Sequence, residues 1–178
     1  MCKGFFGKLS RFWFHYNVGL TPKLQVFRCL LVSKLVYGLS AVCLGLAEQR
    51  RVDAFQNYCL RRILRIPPAY VSRISNAEVL RKSGQELLGN MILRQQLQLF
   101  GQVVQSPMSD PLRAATFHGE GITPITAAFV RKRGRPRHTW TEQLLQHATR
   151  MAGNQRRLEQ LMYTECFWRQ AVQRGNSS

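Results

Sequence analysis

The sequence is short of acid. Nine of its 178 residues are Asp or Glu, against 26 Lys and Arg, and the formal charge is +17. Asp53 and Asp110 are the only aspartates, no two acids are adjacent, and none precedes Glu48. Polymerases and nucleases hold two metal ions between clustered carboxylates. A chain this poor in acid is therefore not expected to carry such a centre, and Glu48 and Asp53, five apart, fall on different faces of a helix. Other chemical signatures are missing too. The cysteines (Cys2, Cys29, Cys43, Cys59 and Cys166) contain no C-x-x-C pair, and His138 and His147 lie nine apart. No metal site is expected from such spacing. No serine sits in a nucleophile elbow and no glycine-rich loop opens a helix, so no catalytic residue and no cofactor is expected either. Strand-type alternation and internal repeats are absent.

Long uncharged stretches are also scarce. Residues 29–47 (CLLVSKLVYGLSAVCLGLA) form a run of nineteen with one charge, Lys34. The length suits a bilayer, but a lysine placed in hydrocarbon costs roughly 2–3 kcal/mol, and two glycines and two serines dilute the rest. A buried helix is the expected reading, and a single-pass membrane protein spanning 29–47 is the alternative. Cys29, Cys43 and Cys59 read as reduced core residues. The acid-free start (MCKGFFGKLSRFWFHYN) has the basic character of a targeting segment but too many bulky rings and too little serine.

What is present is positive charge on a helical pattern. A pI near 10.9 attracts polyanions, nucleic acid first among them. Thr21-Pro22 marks a helix start, with one long buried helix expected from there to about Leu46. Val52, Phe55, Cys59, Ile63 and Ile66 form a single helical stripe that Pro67-Pro68 ends. On another face Tyr58, Arg61 and Arg65 line up, and Arg61, Arg62 and Arg65 are candidates to grip phosphates beside Tyr58. Ser75-Asn76-Ala77-Glu78 reads as a capping box for a helix that stops at Gly84. Leu93, Leu97, Phe100 and Val104 mark another amphipathic helix. Residues 107–137 hold four prolines and three glycines and read as a linker. Thr139-Trp140-Thr141-Glu142 is a second capping box, with Trp140, Leu144, Leu145, Ala148, Met151 and Ala152 on one face. Gly153-Asn154 breaks that helix before a last one carrying Leu158, Leu161, Trp168 and Val172.

The expectation is an all-α chain of two helical lobes joined by a basic linker containing Pro and Gly. Its parts are a basic aromatic segment (1–21), a helical lobe (22–106), the linker (107–137) and a C-terminal helical lobe (138–178). Within the linker, RKRGRPR places Arg131, Lys132, Arg133, Arg135 and Arg137 in seven positions. Arg133-Gly134-Arg135-Pro136 is the core of an AT-hook, in which a thin extended backbone lets arginines enter a narrow minor groove. The same run reads as a set of phosphate contacts or as a nuclear-import signal, so a nuclear location is expected, cytoplasmic otherwise. Five phosphate contacts on duplex imply a slope of log K against log[salt] of roughly −4 to −5.

Several pieces, read in order, resemble the C-terminal region of non-LTR (LINE-type) retrotransposon reverse transcriptases. They are KLQVFRCLLVSKLVYG (23–38), RRVDAFQNYCLRRILRI (50–66), RISNAEVL (73–80), LQLFGQVVQ (97–105), RGRPRHTW (133–140) and CFWRQAV (166–172). The resemblance implies that 22–66 lies on the thumb side of an RNA-directed DNA polymerase whose palm, with its paired aspartates, is missing. It also implies packing roles for Tyr37-Gly38, basic helix positions at Arg61-Arg62, and tail motifs at Arg133–Pro136, Trp140 and Trp168-Arg169. The chain departs from that pattern at Ser40, Val42 and Gln102. The function so implied is RNA or DNA binding through phosphates without catalysis, with no small-molecule substrate and no membrane partner. An AT-hook chromatin protein is the alternative.

Overall fold

Among the described residues, regular structure is entirely helical. The structure is a computed structural model that describes residues 2–119, 121–125 and 139–174. The only pairing of β type among them is an isolated bridge between Phe117 and Pro124. Contacts divide the chain into two compact units, one of residues 1–39 and 44–92, the other of 40–43 and 93–178.

The first unit opens with two short helices, α1 (Cys2–Lys8) and α2 (Ser10–Phe14). The basic aromatic start is thus part of the fold. Phe6 and Trp13 are buried, their rings stack at 5.1 Å, and Trp13 Nε1 donates to the Phe6 carbonyl at 2.9 Å. Helix α3 (Leu20–Val26) passes through a π-helical turn (Phe27–Val32) into α4 (Ser33–Leu39). Pro22 lies in the first turn of α3, as its missing N–H favours. The expected single helix to Leu46 is not formed: α4 ends at Leu39, and α5 (Leu46–Ile63) begins only after a non-helical stretch. The Ser40 and Val42 carbonyls instead accept side-chain donors from Trp140 and Gln96. No described helix is long and apolar enough to cross a membrane, which does not favour a span at 29–47.

One face of the α3–α4 segment is buried, through Phe27, Leu31, Val32 and Val36, whereas Cys29, Lys34 and Tyr37 are exposed. The expectation of a buried Cys29 is corrected by the register: it falls on the opposite face from Leu31. Cys43 is half-buried and Cys59 fully buried. Tyr37, expected at a packing position, is 87% exposed. Helix α5 delivers Cys59, Leu60 and Ile63 to the same core, and α6 (Ala69–Ser72) and α7 (Asn76–Ser83) follow. Ser75 Oγ accepts from the Glu78 N–H, and Gly84 ends α7 at φ 60°. Glu78 does not reach back to complete the box; its carboxylate turns to Arg81 at 2.7 Å.

Helix α8 (Leu88–Gln105) supplies residues 88–92 to the first unit and 93–105 to the second. Its first turn is capped by α5: Gln56 Oε1 accepts from the Leu88 N–H at 2.8 Å and Asp53 Oδ1 from the Gly89 N–H at 3.0 Å.

In the second unit, Leu97, Phe100, Val103 and Val104 of α8 meet α10 (Trp140–Ala152), α11 (Gln155–Leu161) and α12 (Glu165–Arg174) in one core. Part of the expected linker belongs here. Residues 111–116 form α9 (Pro111–Thr116), capped by Asp110, and Phe117 and Ile122 are buried in the core. The division between units therefore does not coincide with the expected border at 106/107. Residues 40–43 join this unit through side-chain donors to their carbonyls: Trp140 Nε1 donates to the Ser40 carbonyl (3.2 Å) and Gln96 Nε2 to that of Val42 (2.8 Å). Thr139 and Glu142 complete a reciprocal capping box, and Gly153 ends α10 at φ 94°. The last expected helix is two, because Asn154 caps α11 and residues 162–164 interrupt before α12.

Candidate nucleic-acid interface

The arginines of α5 divide into a buried one and an exposed set, and the division follows from helical geometry. Arg50, Ala54, Tyr58 and Arg62 are spaced four apart and all exposed, forming one ridge, with Arg51 beside it. From Arg50 to Arg62 that ridge runs about 18 Å. Arg61 sits one position round and points inward, with 8% of its surface accessible.

Arg61 is a structural anchor. Its Nη2 donates to the Ile74 carbonyl (2.6 Å) and Asn76 Oδ1 (2.9 Å), and its Nη1 to the Pro67 carbonyl (3.0 Å). Its fork thus fastens the 67–76 loop back onto α5. The expectation that Arg61 grips phosphate is corrected on this ground: its donors are engaged by backbone carbonyls and Asn76, away from solvent.

Arg62 and Arg65 are exposed, as a phosphate contact requires. The Arg62 guanidinium lies over two rings, 5.3 Å from the Phe14 centroid and 5.7 Å from that of Tyr58, and its Nη1 donates to the Tyr58 hydroxyl at 2.9 Å. Arg65 occupies the left-handed position after α5, at φ 56°. The Ile66 N–H returns to the Arg61 carbonyl (2.8 Å) and the Arg65 N–H to that of Arg62 (3.3 Å), a Schellman closure. Glycine is the usual residue there, and a side chain costs about 1–2 kcal/mol. The Arg65 side chain is used: Nη2 donates to the Phe14 carbonyl at 3.0 Å. Beside it, Lys23 is buried and donates to the next carbonyl, that of His15, at 2.8 Å. Two cations thus pin the end of α2, where Phe14 (45%) and Tyr16 (82%) are exposed and the His15 and Tyr16 rings stack.

The carboxylates leave this surface positive. Glu48, Asp53, Asp110 and Glu142 each accept from backbone N–H groups at helix starts, where the helix dipole favours an anion. Glu78 pairs with Arg81 and, at 3.8 Å, with Lys82. Among the described residues, no carboxylate pairs with Arg50, Arg51, Arg62 or Arg65. No group of three His, Cys, Asp or Glu among those residues is placed to hold a metal ion.

Of the residues expected to bind nucleic acid, Arg62 and Arg65 thus come together and Arg61 is withdrawn. Arg131, Lys132, Arg133, Arg135 and Arg137 lie outside the described residues. Arg50, Arg51, Phe14 and Tyr16 were not foreseen at this surface. The i, i+4 spacing back from Tyr58 points to Arg50, but nothing in the sequence brings Phe14 to α5. Compared with protein-family models, curated proteins and solved structures, the chain matches none.

Proposed function

We propose that this chain is a nucleic-acid-binding module, acting without a polymerase centre of its own, of the kind found on the thumb side and tail of non-LTR reverse transcriptases. The observation that carries the reading is the set of exposed arginines on α5 and the turn that closes it, Arg50, Arg51, Arg62 and Arg65, whose charges no described carboxylate neutralises. Phosphate is the complementary ligand for such a set, since arginine offers it several N–H donors and binding releases condensed counterions. The order of motif pieces from residue 23 to 172 supports the same origin, and the basic run at 131–137 adds a second cationic stretch. The acid inventory supports binding over turnover, because Asp53 and Asp110 are engaged as helix caps.

The test is a titration of the full chain into labelled RNA and DNA over a range of salt. Affinity is expected to fall linearly in log–log form, with a slope steeper than roughly −4 on duplex. Replacing Arg131, Lys132, Arg133, Arg135 and Arg137 together by Gln is expected to remove roughly 4 units of that slope. Binding that ignores salt would end the proposal. A membrane reading has no structural feature behind it, as no described helix has the length and apolarity to span a bilayer.

A further inference from the structure

The end of α5 is more than a cationic ridge, because exposed rings are interleaved with its arginines. Resting on the nucleic-acid reading above, we propose that Phe14, Tyr16, Tyr58 and Arg62 form a stacking platform for the bases of a single-stranded nucleic acid.

Three observations carry this. The first is the chemistry of the surface. Contact with a duplex backbone needs only cations, since paired bases are stacked on one another and keep their faces hidden. Unpaired bases offer a π-face to any exposed ring. Phe14 (45%) and Tyr58 (44%) are accessible beside Arg62, and the exposed Tyr16 (82%) follows Phe14 by two residues in the same pinned segment.

The second is the state of Arg62. Its guanidinium is already lodged against two rings, at 5.3 Å and 5.7 Å, and held by the Tyr58 hydroxyl. No described carboxylate competes for it, so its remaining N–H donors are left for a phosphate next to a stacked base. A planar cation between rings also extends the stack itself.

The third is rigidity. The segment bearing Phe14 and Tyr16 is fastened at successive carbonyls by Arg65 and Lys23, and Tyr58 meets Phe6 edge-on, 6.2 Å between centroids, over the Phe6–Trp13 stack. The Phe14 and Tyr58 rings, held before binding, lose little entropy when a base arrives. The cavity between Phe6, Ser10, Trp13, Tyr58 and Arg62 measures about 60 Å³. That is room for a few waters and not for a base, so the base lies across the rings.

The test compares three ligands of about 16 nucleotides per strand, each as RNA and as DNA where available: an intact single strand, an abasic strand of equal charge, and a duplex. Fluorescence anisotropy of the full wild-type chain reads each affinity. The abasic strand is expected to bind at least about tenfold more weakly than the intact one. Tyr16→Ser, at a side chain almost free of packing, is expected to weaken the intact strand several-fold while leaving abasic strand and duplex as they were. Equal affinity for intact and abasic strands would overturn the platform and leave a backbone-binding module standing. Failure to bind any of the ligands would remove the nucleic-acid reading as well.

Discussion

Adjacent arginines on one helix have opposite roles here, and only their angular position separates them. Arg61 faces inward and meets carbonyls; Arg62 faces outward and meets rings. Composition and spacing mark both as basic helix residues, because the sequence does not record where the 67–76 loop folds back. The contrast is measurable. Arg61→Leu leaves several buried acceptors unmet and is expected to lower unfolding free energy by roughly 2–4 kcal/mol, with the salt slope of nucleic-acid binding unchanged. Arg62→Leu is expected to change stability by less than about 1 kcal/mol and to reduce that slope by about 0.7 to 0.9. Urea melts and salt titrations of the two variants check both halves. A second residue couples stability to pH. Burial, and then the nearby Arg150, hold His147 below its ordinary pKa of 6.5. The folded state thus favours neutral imidazole, while the unfolded chain protonates first as pH falls. The stabilisation is fully present above pH 6.5 and is lost as pH drops from there through the folded value. Melting temperature is expected to decline more steeply between pH 7.5 and 5.5 in the wild type than in His147→Gln.

At the scale of elements, legibility depended on whether a boundary is set locally. Helix starts at Ser75 and Thr139 and stops at Gly84 and Gly153 were readable, because cap chemistry involves residues three or four apart. The break after Leu39 was not readable. It reflects Ser40 and Val42 lending their carbonyls to Trp140 and Gln96, partners up to a hundred positions away. Pairings between helices are equally nonlocal, and Gly101 shows the consequence. A Cβ built there would lie 2.7 Å from Cδ2 of the buried Trp168, closer than real side chains approach. The glycine of LQLFGQVVQ is thus the seat for the tryptophan of CFWRQAV, and Trp168 also donates to the Met162 carbonyl at 2.7 Å. Its ring cannot swing aside without giving up that bond and its edge contact with Phe100. Gly101→Ala is accordingly expected to destabilise the second unit by about 1–3 kcal/mol, despite alanine's better helix propensity. A shift of the denaturant midpoint with altered tryptophan emission would register it; an alanine variant as stable as the parent would mean the ring is not seated there.

For the whole molecule, the helical character of the described residues was legible from periodicity, whereas charge alone gave only an expectation of polyanion partners. The candidate site was half legible: Arg62 and Arg65 could be picked out, whereas the rings of α2 reach α5 through tertiary packing. The acid deficit has a consequence for stability that the helices share. With 26 cations and 9 acids, and with four of those acids engaged at helix starts, like-charge repulsion acts across the folded surface more than attraction does. Compaction brings those cations closer than they sit in the unfolded chain, so screening should favour the fold. Raising salt from about 20 mM to 300 mM shortens the Debye length to well under 10 Å and is expected to raise the melting temperature by a few degrees, on the order of 1 kcal/mol. On the proposed reading the same change is expected to weaken nucleic-acid binding, so the two salt effects would have opposite signs. A saturating polyanion at low salt is expected to raise the melting temperature as well, through preferential binding to the folded chain. Circular dichroism melts at both salt concentrations, with and without an oligonucleotide, measure all of this. A melting temperature that fell with salt would mean that ion pairs, rather than unopposed arginines, dominate the surface, and would remove the electrostatic basis for the interface on α5.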